Sequence, residues 1–378
     1  MKKLIILFII SIFAVSLLSA TEVVGEIAFL EGDVSITRDG ETIEGYDLDF
    51  GSVIENYDLI ETGNDGTCII ATYPETGVDA ELRVDRSSVF YLEISGVEQE
   101  SHTTVELMTG AIHSSVERLT GRNTFSVQTE SAAMGVRGTS FEVASSTTGD
   151  ILVTCEEGSV ECENNNGDIL FAEPGRAVEQ SAERFRQIPV AVSDIETFRE
   201  NWITEQSEAL RANALRAIRN YSRRYDRYFD QFAEAWADLQ SESDVIIRWI
   251  RQDREGEISG STQLLREKRA LIGPLMDIRR SLFMFERIYY RVLELQEYHE
   301  QGYGRGNIRR GYSTAHFFNR VENERSLLED RMARYRYILK LFAIRNDGRT
   351  IFESFSSSGP DEGFTDEDDF FSDDNSSF

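Results

Sequence analysis

Three cysteines and four histidines, dispersed through 378 residues, leave little from which to build a zinc centre. No metal site and no other cofactor site is expected. Catalytic machinery is equally missing: no motif sets a nucleophile beside a base, a carboxylate pair in a cleft or a metal cluster, so the chain reads as non-catalytic. After the first twenty residues, no stretch is long and charge-free enough to span a bilayer. Positive charge is scarce as well. With 67 acidic and 39 basic residues the formal charge is −28, which argues against nucleic-acid binding, since a duplex is held mainly by neutralising its phosphates. What is present is ample for folding. Hydrophobic residues make up 40% and aromatics 11%, which excludes a wholly disordered chain, and the length suits two or three domains.

The charge is distributed unevenly. Residues 21–180 contain 7 Arg, no Lys and 32 acids, a net of −25, whereas residues 181–350 carry 30 bases against 26 acids. The last 28 residues hold 9 acids and no base. These jumps mark a leader over 1–20, a first domain over 21–180, a linker over 181–192, a second domain over 193–350 and an acidic tail over 351–378.

Met1-Lys2-Lys3 followed by the apolar run Leu4 to Leu18 has the charged and apolar parts of a secretory signal, and Ser19-Ala20 supplies small residues for cleavage. The expected mature protein begins near Thr21, is periplasmic or secreted, and keeps no stable membrane span. In an oxidising compartment Cys155 and Cys162 are a disulfide candidate. A turn centred on Gly158-Ser159 sets them opposite each other across two strands, and a register one residue tighter sends them to opposite faces. Cys68 reads as a buried thiol.

Residues 21–180 consist of short runs with alternating Val, Ile, Leu, Phe and Thr, separated by Gly, Asn and Asp. Period-two alternation buries one face of each strand and leaves the acids on the other, so the segment is expected to be all-β: a roll, sandwich or short solenoid. Asn164-Asn-Asn-Gly-Asp168 lacks the regular acidic spacing of a calcium loop and reads as a turn.

The punctuation of this segment follows a recognisable order. Gly25-x-Ile27 and Gly32-x-Val34 precede Gly51 and Asp58-Leu-Ile-Glu-Thr-Gly63. Leu107-x-x-Gly110, Phe125-x-Val127-x-Thr129 and Gly135-Val-Arg-Gly-Thr-Ser-Phe141 follow, then Glu157-Gly-Ser-Val160 and Pro174-Gly175. Together these resemble the FecR-type domain of bacterial envelope sensors over about residues 22–180. The resemblance implies a β-rich module outside the inner membrane, in known systems the periplasmic part of a regulator that couples an outer-membrane signal to a sigma factor. The cytoplasmic segment and membrane helix of such regulators have no counterpart in the twenty residues ahead of this module. The family usually places Gly before the Asp of the Asp-Leu-Ile-Glu-Thr-Gly run; here that residue is Tyr57. The candidate binding residues are the signature positions Gly135, Arg137, Gly138 and Thr139. Gly135 and Gly138 suit a sharp turn or a close backbone approach. Arg137 either ties strand-end carbonyls or a buried carboxylate, or captures an anionic ligand.

After Pro189 the texture becomes helical. Apolar or aromatic residues at 221, 225, 228, 232, 235 and 239, at 271, 275, 278, 282, 285, 289 and 292, and at 318, 321, 328, 332, 335, 339 and 342 recur in steps of three and four. Glycine-rich breaks at Gly256 to Ser261 and Gly302 to Gly311 predict three long helices in an antiparallel bundle, with Arg325 interrupting the last seam and Pro274 kinking the second helix or beginning its main part. Gly302-Tyr-Gly-Arg-Gly306 follows a helix rather than a strand and reads as a loop, flanked by His299 and His316. The tail, with Phe364, Phe370, Phe371 and Phe378 in an acidic field, is expected to be mobile.

The fold class expected is therefore a β domain followed by a helical bundle. The function expected is a secreted, non-catalytic envelope protein, whose β module binds an envelope protein or cell-wall ligand and whose helices dock or make a homo-oligomer. The alternatives are a sensor or regulator held by an uncleaved leader, and a peptidoglycan or glycan hydrolase with a cleft between the domains.

Overall fold

A computed structural model describes residues 23–351, apart from 98, 99 and 347; the leader and all but the first residue of the acidic tail lie outside them. Among the described residues the first half forms seventeen strands. They are β1 Val23–Glu31, β2 Val34–Arg38, β3 Glu41–Glu44, β4 Val53–Glu55, β5 Leu59–Thr62 and β6 Thr67–Thr72. Next come β7 Ala80–Val84, β8 Val89–Val97, β9 Glu100–Val116, β10 Thr124–Gln128, β11 Ala132–Val136 and β12 Ser140–Ser145. The last are β13 Ile151–Glu157, β14 Val160–Asn164, β15 Ile169–Ala172, β16 Arg176–Gln180 and β17 Phe185–Pro189.

Pairing sorts them into two curled sheets that share one strand. The first runs β4-β1-β6-β7-β9-β12-β13-β16-β17. The second runs β3-β2-β5-β8-β9-β10-β11-β14-β15. Every pair is antiparallel except β9 with β10. The 17-residue β9 belongs to both sheets: its first half pairs with β8 and β10, its second half with β7 and β12. The crease falls at Gly110, whose φ of +88° is left-handed and where a Cβ would overlap the Ser88 backbone.

Alternation explains what each face does. In β8, Phe90 and Leu92 point between the sheets while Val89, Tyr91 and Glu93 point outward; in β9, Val105 and Leu107 point in and Glu106 and Met108 point out. Across the interior Phe125 and Phe141, one from each sheet, meet edge to face at 6.4 Å. β17 pairs with β16 through Pro189, so the sheet runs on past residue 180 into the stretch expected as a linker over 181–192.

Among the described residues four helices follow: α1 Ile195–Gln240, α2 Ser243–Glu255, α3 Ser261–Glu300 and α4 Thr314–Ile344. Three had been expected; α1 stops at Ser241-Glu242 without the Gly or Pro that marks the other breaks. Elsewhere the punctuation acts as read. Gly256 ends α2 with φ +67°, and Ser313 caps α4, its Oγ accepting from the His316 amide at 3.2 Å. Pro274 lies inside α3, which continues on both sides of it. The long helices α1 and α3 pack antiparallel, with Phe232 stacked on Phe285 at 5.2 Å and the Arg211 guanidinium over the Tyr303 ring just beyond α3. Arg325 leaves the seam for solvent, donating to Glu329 at 3.0 Å. The helical core is continuous with the outer face of the second sheet, because Tyr57, Leu59, Val89, Tyr91 and Met108 pack into it. No helix among the described residues is long and apolar enough to cross a membrane.

Candidate functional site

The signature residues stand at the end of β11 and beyond. Gly138 has φ +97°, and a Cβ there would lie 2.7 Å from the Arg118 Cα, so the position needs glycine. Gly135 does not: its φ is ordinary and a Cβ would meet nothing within 4 Å. Thr139 is buried, its methyl against Gly158. Arg137 is exposed and makes no hydrogen bond or ion pair among the described residues. The structural tie expected of it, to strand-end carbonyls or a buried carboxylate, is not made among the described residues: Arg137 lies in the bend just past β11 and is open to water.

Cys155 and Cys162 are free and buried, as is Cys68. The hairpin on which a cross-strand bond depended does not exist: β13 pairs with β12 and β16 in one sheet, β14 with β11 and β15 in the other. Burial pushes the Cys155 thiol up to about 11 and those of Cys68 and Cys162 up to about 12, which keeps them protonated and unreactive near neutrality. The two histidines beside the glycine loop do not converge either. His299 bonds Thr314 at 3.0 Å and His316 bonds Ser313 at 2.8 Å. Among the described residues no cluster of His, Cys, Asp and Glu could hold a metal ion.

The acids of the β domain were expected on the outer strand faces. Several lie beneath the helices, each held by a base from the second half. Glu106 is fully buried between two guanidiniums of α3, accepting from Arg279 at 3.1 Å and from Arg287. Arg279 also pairs with Glu93 at 2.6 Å and donates to the Tyr91 hydroxyl at 3.2 Å. On α1, Arg199 bridges Asp85 and Glu142, both at 2.6 Å, while the Trp202 indole donates to Glu179 at 2.9 Å. Arg224 holds Glu130, and Lys340 of α4 holds Asp39 at 3.1 Å and Glu55 at 2.5 Å. Burial raises the carboxyl of Glu93 and of Glu142 above the usual range, opposed by Arg279 and by Arg199 respectively. A carboxylate removed from water survives only with such partners.

This seam opens into a cleft of about 710 Å³ where the β9 crease faces α1 and α3. Gly110, Ala111 and Ala144 form its floor, and Arg86, Ser87 and the turn 145–148 rise on one side. Glu200, Ile203, Gln206, Ser207 and Leu210 of α1 and Glu294 and Tyr298 of α3 close the other. A cleft between the domains was the expectation attached to a hydrolase with paired acids. Here Asp85 is committed to Arg199, and Glu294 to Arg291 at 3.2 Å and to the Thr109 hydroxyl, which donates to it.

Among the described residues both sheets end on terminal strands: on one side β3 pairs only with β2 and β4 only with β1, and on the other β15 pairs with β14 and β17 with β16. The loop between β3 and β4 is laid against β1 by the Gly51 amide, which donates to the Ile27 carbonyl at 2.8 Å. It carries Tyr46, wholly exposed, and Phe50 at 72% exposure, with Val53 and Phe29 of the neighbouring strands also open to water. Glu44, Asp47 and Asp49 stand among them.

The reading missed the seam partners Arg199, Arg279, Arg287, Arg291 and Lys340. The signal was present: Arg279, Arg287 and Arg291 fall at multiples of four on α3, one stripe beside the apolar seam, and β8 and β9 place acids at alternate positions.

Residues 60–161 match the family described as FecR protein. Two crystal structures from Parabacteroides distasonis, each described as a "putative anti-sigma factor", at 2.50 and 1.65 Å, are similar at 17% identity and a TM-score of 0.32. The similarity covers 36% and 37% of this chain, which spans only 62% and 63% of theirs. No curated protein matches. The family match begins in β5 and ends in β14, the middle of both sheets, so the strands outside it complete a roll whose centre is shared: the chain carries a FecR domain over residues 60–161.

Proposed function

We propose that this chain is an exported, non-catalytic interaction protein of a bacterial envelope, in which a FecR domain locked to its own helices offers the open end of the roll to a protein partner. Export rests on the charged and apolar leader ending at Ser19-Ala20. The observation that carries the partner reading is the end of the roll at β3 and β4. The edge strands β3 and β4 are short and β3 carries Glu41 and Glu44, so the contact is read on the loop between them, which presents Tyr46 and Phe50 to a partner segment. The acids around these rings, in a domain whose net charge is −25 over 21–180, select a segment that is both apolar and basic. The helical seam residues, among them Tyr225, Phe232, Leu282 and Phe285, are buried within the chain itself.

The test is photo-crosslinking in intact cells from position 46 or 50 of the full-length chain. The expected product is one envelope protein, crosslinked through a segment rich in Lys or Arg, and binding of that purified protein weakened about tenfold or more by Tyr46→Ala with Phe50→Ala and by raised salt. Capture of a second copy of this chain, or binding indifferent to both substitutions, refutes it. Amino-terminal sequencing of the mature protein separates this reading from a regulator retained by its leader, with Thr21 as the expected first residue.

A further inference from the structure

The cleft over the Gly110 crease differs from a gap left by loose docking in what its walls leave unspent. Ser87, Thr147, Glu200, Gln206, Ser207 and Tyr298 line it, and none of their side chains has a hydrogen-bond or ion-pair partner among the described residues. They come from four separate places: the turn before β8, the turn after β12, α1 and α3. Docking that merely failed to close would leave apolar or randomly charged walls. Here donors and acceptors converge on one space.

Three of the five charges of the same walls are used. Arg199 is held by Asp85 and Glu142, and Glu294 by Arg291 and Thr109. The groups left unpaired are one acid, Glu200, and one base, Arg86, of opposite sign. A phosphate or carboxylate ligand would find no spare pair of cations, and a polyamine no spare pair of anions. Neutral hydrogen-bonding capacity remains, next to the apolar sides of Ile203 and Leu210 and the ring of Tyr298. Many hydroxyl groups on one edge and C–H faces that pack on apolar and aromatic side chains describe a sugar ring. The volume of about 710 Å³ falls within the roughly 300–1,000 Å³ of pockets that enclose small molecules, enough for about two or three pyranose rings.

We infer that the cleft between the β9 crease and helices α1 and α3 binds a neutral oligosaccharide. Hydroxyls on the ligand exchange hydrogen bonds with Ser87, Thr147, Gln206 and Ser207, Glu200 accepts from one rim hydroxyl, and a pyranose face lies against Tyr298. No bond is broken. The site is remote in sequence and in fold from Tyr46 and Phe50, so it stands or falls independently of the partner reading.

The test is calorimetric titration of the full mature chain with chitotriose in its N-acetylated form, cellotriose and maltotriose, with citrate and spermidine as charged controls. At least one trisaccharide is expected to bind with Kd below about 1 mM and the charged probes not at all. Ser207→Trp, which fills the cleft from α1, is expected to weaken binding about tenfold or more with an unchanged far-UV spectrum. Gln206→Ala and Tyr298→Ala, which remove contacts without adding volume, are expected to weaken it severalfold and keep the test valid where the tryptophan disturbs folding. Binding of none of the three sugars, binding of only the charged probes, or affinity unchanged in all three variants overturns the inference.

Discussion

Glu106→Gln probes the seam at its centre. The Glu106 side chain is completely buried, and its two oxygens are divided between Arg279 and Arg287, the latter itself 1% exposed. The amide keeps the shape and removes the charge, so Arg287 loses its ion pair with Glu106 while Arg279 keeps its pair with Glu93. Breaking one side of a buried pair costs about 3–5 kcal/mol, because the remaining charge stays out of water without compensation. All three tryptophans, Trp202, Trp236 and Trp249, sit on helices, so their fluorescence follows the helical half while far-UV circular dichroism follows both. With a urea dependence of about 3 kcal/mol/M, the expected fall in the fluorescence midpoint is roughly 1 to 1.7 M.

The companion variant decides what kind of interaction this is. Glu106→Met with Arg287→Met removes both members and leaves apolar side chains of similar length, and such replacements are neutral or stabilising. The double variant is therefore expected to recover most of the loss, giving a coupling of at least about 2 kcal/mol in the double-mutant cycle. A midpoint change under about 0.3 M in Glu106→Gln, or a double variant as damaged as the sum of the singles, refutes the view that charge pairing governs the docking of helices on the roll.

Glu61 supplies a pH dependence. Burial, and then the nearby charge of Glu329 and of Glu286, against Arg336 and Arg325, pushes its carboxyl from 4.5 up to about 6. The folded state therefore holds this proton more tightly than the unfolded chain does. The resulting penalty, about 2 kcal/mol, is fully present above pH 6 and is relieved as the pH falls towards 4.5. Glu61→Gln is expected to raise the urea midpoint at pH 7.5 and to leave a smaller gain on moving to pH 5; equal gains in both proteins count against it. The signature glycines part company under substitution. Gly138→Ala meets both a left-handed backbone and Arg118 and is expected to cost about 2 kcal/mol or more, while Gly135→Ala stays within about 0.5 kcal/mol, read from thermal midpoints. The thiols of Cys68, Cys155 and Cys162 are expected to resist iodoacetamide at pH 8 in the native protein and to take up three equivalents after denaturation without reductant, by intact mass. Uptake of one equivalent only would mean that two of them are joined.

Period-two alternation was enough to read the all-β half, because inner positions such as Phe90, Leu92, Val105 and Leu107 carry the signal whatever covers the outside. The helices were legible for the same reason, through seams such as Tyr225, Phe232, Leu282 and Phe285. What one strand or helix cannot disclose is its opposite face in three dimensions. Glu93 and Glu106 look the same in sequence whether they meet water or Arg279, and Arg287 looks like a solvated helix residue until a sheet lies on it. The same blindness produced the expected hairpin at Cys155 and Cys162: local spacing gives two strands and a glycine turn, while the choice between pairing with each other and joining separate sheets is made by partners 14 and 28 residues away, Phe141 and Met134.

Tyr57 shows how a departure from a family pattern can locate a contact. It occupies the position where the resemblance implies a glycine, and it takes a left-handed conformation, with φ +69°. Such a backbone costs a bulky residue of order 1–3 kcal/mol. Burial of a large aromatic side chain against neighbours offsets a cost of that size. Tyr57 is 4% exposed, its ring lies 6.4 Å from that of Tyr91, and both belong to the core that the helices build on the roll. The tyrosine is thus strained in its backbone and compensated by packing on Tyr91 and in the core that the helices complete. The two halves of this chain are matched at that residue as they are at Glu106, so the FecR domain here is shaped to be held by the helices that follow it.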